Sequence, residues 1–183
     1  WSSDVCSSDL EGYPRSNDLT DYGKSKVFSE VGLAEATNDG LIDGRNIRLF
    51  SFFGPGVALD KHFAIGNFMY DAFSGRRILL TGNENTKRNY LYPTDGISAI
   101  ILSTIQEKHT QLNVGSDNTV RLIDAAKILS TAFSVEIKAL SSSPPPNYYV
   151  PNILRFQNSC GKYQFVNLND GIHKWFAWLE LFK

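Results

Sequence analysis

The stretch "TDYGKSKVFSEVGLAEATNDGLIDGRNIRLFSFFGPG", residues 20–56, constrains the fold more than any other part of this 183-residue chain. From Thr20 to about Thr37 it carries good helix formers with an apolar face through Val27, Val31 and Ala34, and "NDGLIDG" then breaks the pattern. A run of apolar and β-favouring residues follows, "NIRLFSFFGPG", stopped by Gly54, Pro55 and Gly56, which predicts a buried strand. Helix, short loop and buried strand form an α/β signature.

The same alternation continues. "LDKHFAIGNFMYDAFSG" has a helical pattern ending at Gly75, and "RRILLTGN" predicts a short strand with a turn. "RNYLYPTDGISAIILSTIQE" reads as a strand entering a helix, with Thr94 or Asp95 placed to cap it. "QLNVGSDNTVRLIDAAKILSTAFS" repeats that layout, with Leu122, Ala125, Ala126 and Leu129 turned inward. "SSSPPP" is a stiff extended linker by composition, and Asn152 is placed to cap "ILRFQNSCG", which stops at Gly161. A final amphipathic helix carries Trp175 and Trp178 as expected core anchors.

The opening "WSSDVCSSDL" fits none of this. It lacks an initiating Met, repeats Ser-Ser-Asp and shows no apolar periodicity, so residues 1–10 are expected to be a non-native, adapter-derived segment. Cys6 has no His nearby, and a single Cys makes no ligand set. Only Cys160 then remains, so no disulfide framework points to an oxidising compartment, and a cytoplasmic location is expected.

With 42% hydrophobic and 20% charged residues the chain has ordinary globular composition. Its apolar runs fall short of the ~20 residues of a membrane helix. The net charge of -1, with scattered Lys and Arg, offers no basic stripe for nucleic acid. Neither a membrane nor a nucleic acid is expected as a partner, and no metal site is.

Tyr22 and Lys26 stand four residues apart, on one face of the first helix. A free phenol, with a pKa near ~10, is a poor proton shuttle at neutral pH, but a neighbouring ammonium favours the phenolate. Such a tyrosine can take a proton from a sugar or alcohol hydroxyl. Alone, the pair carries little weight, because chance Tyr–Lys pairs on solvated helices are common.

In order, "DYGKSK", "IRLFSFFGPG", "KRNYLYPTDG" and "LNVGSDNTVRLIDAAKIL" resemble the extended short-chain dehydrogenase/reductase family, specifically its NAD-dependent nucleotide-sugar epimerases and dehydratases. The resemblance implies an α/β fold: the later strands of a Rossmann-like parallel sheet with an interleaved, smaller C-terminal substrate domain. Residues 11–57 and 88–116 would belong to the NAD-binding part, and 58–87 and 117–183 to the part that holds a nucleoside-diphosphate sugar. Hydride transfer at the sugar C4 would be recycled through NAD within one turnover, giving epimerisation or dehydration.

By that resemblance Tyr22 would be the catalytic acid/base, and Lys26 would favour its phenolate and bond the nicotinamide ribose. Leu49, Phe50 and Ser51 would border the nicotinamide and the sugar. Asn67 and Arg88 would meet the substrate phosphates, where a guanidinium fork suits phosphate oxygens, and His62 would lie in a substrate loop. A homodimer is implied as well.

Two departures stand out. Ser51 occupies a position where many relatives have Asn, and "SSSPPPNY" stands where many have a further Arg. No glycine-rich strand-to-helix turn precedes Tyr22 to receive a pyrophosphate. The chain is therefore expected to be the C-terminal part of an enzyme, unstable and unable to retain NAD by itself. The alternative is a non-catalytic binding protein of the same fold that keeps Tyr22 and Lys26 as remnants.

Overall fold

The computed structural model describes residues 21–61, 63–105, 111–140, 144–161 and 163–182. The described elements are α1 (Asp21–Asn38), β1 (Asn46–Leu49), α2 (Ala64–Phe73), β2 (Ile78–Leu80), β3 (Lys87–Asn89), α3 (Pro93–Ile105), β4 (Gln111–Val114), β5 (Thr119–Arg121), α4 (Leu122–Phe133), β6 (Ile137–Ala139), β7 (Tyr148–Tyr149), α5 (Leu154–Cys160) and α6 (Leu168–Glu180). Helices alternate with single strands or strand pairs up to α5, which α6 follows directly.

β1 pairs in parallel with β4, Asn46 opposite Gln111 and Leu49 opposite Val114. Successive side chains of a strand point to opposite faces, and β1 shows it. Ile47 and Leu49 pack into a core with Leu91, Ala99, Val114 and Phe156, on the side of α3 and α5. Arg48, between them, reaches Glu30 of α1 on the other face. A parallel pair covered by helices on both faces is the unit of a doubly wound sheet.

Past Leu49 the chain stays extended and changes neighbour. Phe52 bridges Leu91 in parallel, which ties β1 to the strand leading into α3. That strand, β3, pairs antiparallel with β5 and parallel with β7. β2 and β6 form a separate parallel pair.

A second core gathers α2, β2, α4 and α6 around Phe68, Met69, Ile78, Leu129, Ile172 and Trp175, with Phe53 reaching in from the end of the β1 segment. Leu122, Ala125, Ala126 and Leu129 are the buried residues of α4. They are the four that its periodicity assigns inward. Trp175 is fully buried, whereas Trp178 lies at the surface with its ring centroid 4.8 Å from that of Phe182.

The structure departs from the sequence expectations in several places. β1 is half-buried rather than buried, and Val31 and Ala34 of α1 are exposed. Helix α1 instead half-buries the neighbouring stripe of Val27, Glu30, Leu33, Ala36 and Thr37. Asp95 does not cap α3. Its buried carboxylate accepts from the Tyr163 hydroxyl at 3.1 Å and the Val166 N–H at 2.8 Å, tying the start of α3 to the segment before α6. Asn152 accepts from the Leu154 N–H at 3.0 Å, one residue ahead of the helix cap at Ile153.

Candidate functional site

The direction of α1 follows from two contacts. A Cβ on Gly44, before β1, would lie 2.7 Å from both Leu33 Cδ1 and Thr37 Oγ1, so the loop passes close against the last turns of the helix. Four residues further on, Arg48 meets Glu30, earlier in the helix. Moving forward along the strand thus means moving backward along the helix. The two elements run antiparallel.

This fixes the level of Tyr22. Tyr22 precedes Glu30 by eight residues, about 12 Å of helix at ~1.5 Å per residue. The same distance along an extended chain, at ~3.3 Å per residue, leads from Arg48 to the region of Ser51 and Phe52. Tyr22 and Lys26 therefore stand level with the carboxyl end of β1, where open α/β sheets receive their ligands. The Lys26 ammonium lies over the Tyr22 ring, 5.2 Å from its centroid, and Tyr22 is 45% exposed.

The strand end has an unusual backbone. Ser51 has φ 31°, outside the range that L-residues other than Asn and Asp adopt readily. Held on one side by the Leu91 N–H, which donates to the Ser51 carbonyl at 3.0 Å, it is a strained point just past β1. Of its neighbours, Leu49 turns its side chain into the core of α3 and α5. Phe50 is buried and lies 4.8 Å, centroid to centroid, from the Tyr149 ring.

That ring contact leads to Arg88, because Tyr149 is the register partner of Arg88 between β7 and β3. Arg88 Nη1 donates to Asn147 Oδ1 at 2.6 Å and to the Lys87 carbonyl at 2.8 Å. Among the described residues, Nε and Nη2 make no hydrogen bond, so half of the fork stays available. Asn147 was not singled out in the sequence. Asn67 lies on α2, and its buried Oδ1 has no hydrogen-bond partner among the described residues. His62 lies outside the described residues.

The covering helix α1 carries Tyr22 and Lys26, the β1–β4 sheet leads into Leu49–Ser51, and the Phe52–Leu91 bridge joins that sheet to the one bearing Arg88, with Asn67 on the helix that follows. Two cavities lie elsewhere. One of about 170 Å³ lies between the second half of α1 and the first residues of β1 and β4, lined by Leu33, Asn46 and Gln111 among others. The other, about 80 Å³, lies between Tyr90, the 116–118 turn and the start of α6. Among the described residues no group of three or more His, Cys, Asp or Glu is placed to hold a metal ion, and no helix is long and apolar enough to cross a membrane.

A family model described as "NAD dependent epimerase/dehydratase family" matches residues 5–115, more than half of the chain. The chain is 29% identical over 163 residues to an Escherichia coli dTDP-4-dehydro-6-deoxyglucose reductase, covering 84% of this chain and 50% of the relative. It is 21% identical over 154 residues to UDP-glucuronic acid decarboxylase 5 of Arabidopsis thaliana, covering 82% and 45%. The chain spans about half the length of these curated relatives. Among solved structures, a UDP-glucose 4-epimerase of Thermotoga maritima with UDP-glucose superposes with a TM-score of 0.82 at 15% identity, covering 98% of this chain and 61% of the other.

Proposed function

Because the chain belongs to the NAD-dependent epimerase/dehydratase family, we propose that its full-length protein uses NAD to act on a nucleoside-diphosphate sugar, with Tyr22 as the acid/base at the sugar C4 hydroxyl. The observation that carries this reading is the Tyr22–Lys26 pair standing level with the strained end of β1. Bound NAD supplies the two-electron acceptor and donor of the sugar oxidation.

The residues of this chain fit the nicotinamide end of that cofactor. Lys26, one helical turn from Tyr22, brings an ammonium donor to a ribose hydroxyl and stabilises negative charge that develops on the phenol oxygen. Tyr22 takes the proton of the 4-hydroxyl and returns it when the carbonyl is reduced. The backbone at Leu49–Ser51 closes the floor beneath the sugar. The free edge of the Arg88 fork and the Nδ2 group of Asn67 donate to the diphosphate oxygens, as charge-assisted bonds do well, and His62 is assigned to the substrate by the family resemblance alone.

The division of labour between 11–57 with 88–116 and 58–87 with 117–183 is part of the proposal. The two cores follow it only in part: α2, β2, α4 and α6 share one, but Phe53, Tyr90 and Tyr92 join that core, and Phe156 of α5 joins the one around β1 and β4. Epimerisation or dehydration, a cytoplasmic location and a homodimer complete the reading.

The test is to incubate the full-length protein with NAD and a panel of UDP- and dTDP-sugars, and to identify products by chromatography and NMR. A 4-epimer or a 4-keto-6-deoxy sugar, with no net change in the 340 nm absorbance, is the expected outcome. Failure to retain NAD and to turn over any member of the panel would favour the non-catalytic reading of the same fold.

A further inference from the structure

We infer that the Glu30–Arg48 ion pair is the joint that sets where Tyr22 and Lys26 stand relative to the end of β1, so that both partners are positioning residues. The inference rests on the functional reading above only for its consequence in turnover. The joint itself is a property of the fold.

The pair is bidentate. Arg48 Nε lies 2.7 Å from Glu30 Oε1 and Nη2 lies 2.7 Å from Oε2, and the two side chains are only 16% and 15% exposed. Two parallel bonds between planar groups fix orientation as well as distance. Glu30 continues the stripe of Tyr22 and Lys26, each four residues from the next, and Arg48 directly precedes Leu49. The joint therefore connects the two halves of the site along the shortest covalent path on each side.

Apolar packing does little of this work. Between Tyr22 and Glu30 the only half-buried apolar side chain is Val27, and Phe28 is 80% exposed. The other anchor, Leu33 and Thr37 against Gly44, lies further from Tyr22 than the ion pair does. Buried ion pairs stabilise folds weakly compared with apolar replacements. Placement is the property that this one supplies.

The leverage is large. With about 12 Å of helix between joint and tyrosine, a tilt of about 5° moves Tyr22 by about 1 Å, a misplacement that can cost on the order of 100-fold in rate.

The experiment compares Glu30→Gln, Arg48→Met and Arg48→Lys in the full-length protein, below the melting temperature of each. The joint predicts a fall in kcat on the order of 100-fold for Glu30→Gln and Arg48→Met, with KM for the nucleotide sugar within about twofold. Arg48→Lys, which keeps the charge but not the fork, should recover only part of kcat. Amide exchange should quicken at residues 22–30 and not in α4. An unchanged kcat per folded molecule, or exchange that rises equally in α1 and α4, overturns the inference. Tyr22→Phe run alongside separates the two ideas: if it keeps turnover the functional reading fails, and exchange alone then decides the joint.

Discussion

Lys26 holds its ammonium 5.2 Å from the centroid of the Tyr22 ring, one helical turn along α1. Lys26→Met keeps the length of the side chain and removes its charge. Turnover of the full-length protein is expected to fall about 10²- to 10⁴-fold, the range of a general acid/base contribution, and NAD retention to weaken. Steady-state kinetics with saturating nucleotide sugar, together with the NAD content of the purified variant, check it. Wild-type kcat would separate Lys26 from the chemistry.

Arg88 is held through Nη1 by Asn147, and among the described residues its Nε and Nη2 make no hydrogen bond. Arg88→Lys cannot reproduce the fork. A rise in KM for the nucleotide sugar of about 10- to 100-fold is expected, worth about 1.5–3 kcal/mol for a bond to a charged group, with a much smaller change in kcat. Asn147→Ala should give a weaker version of the same effect by loosening the guanidinium.

How much of this was legible in the sequence depends on the range of the interaction. The inward residues of α4 follow from periodicity, because one helix face meets one core. The level of Tyr22 against Ser51 does not follow, since it depends on Glu30 and Arg48, eighteen positions apart on different elements, which no local pattern connects. The apolar face of α1 is only partly covered: Val27 is half-buried, while Val31 is 43% exposed. Hydrophobic periodicity reports which side chains want a partner, and the ion pair and the Gly44 contact turn a neighbouring stripe toward the sheet. Local pattern offers Thr94 or Asp95 as a cap for α3, whereas the Asp95 carboxylate takes partners about seventy residues away.

Gly171 of α6 faces Phe53. A Cβ there would lie 2.5 Å from Phe53 Cε2 and Cζ, and Phe53 is fully buried. Gly171→Ala gains about 1 kcal/mol of helix propensity, but overpacking a filled core costs about 1–3 kcal/mol. The clash wins because the ring has no room to withdraw. A net loss of about 1 kcal/mol, visible as a lower denaturation midpoint with turnover of the folded protein preserved, is expected.

Burial pushes the Tyr90 phenol up, against a smaller opposing pull from the Arg88 guanidinium. In the unfolded chain a phenol ionises near ~10. Above that pH the folded state keeps a proton that the unfolded state releases, so stability is fully present below about pH 10 and declines as pH rises. Tyr92 and Tyr163, also raised by burial, act with the same sign. Urea midpoints at about pH 9 and about pH 11 should show the decline, and Tyr90→Phe should flatten it.

The most direct measurement is turnover of the Tyr22→Phe variant of the full-length protein on a nucleotide sugar that the wild type converts, with bound NAD quantified in the same sample. If Tyr22 is the acid/base, kcat falls at least about 10²-fold, with NAD still bound and the fold intact. A variant that keeps wild-type turnover would remove Tyr22 from the chemistry and the proposed mechanism with it.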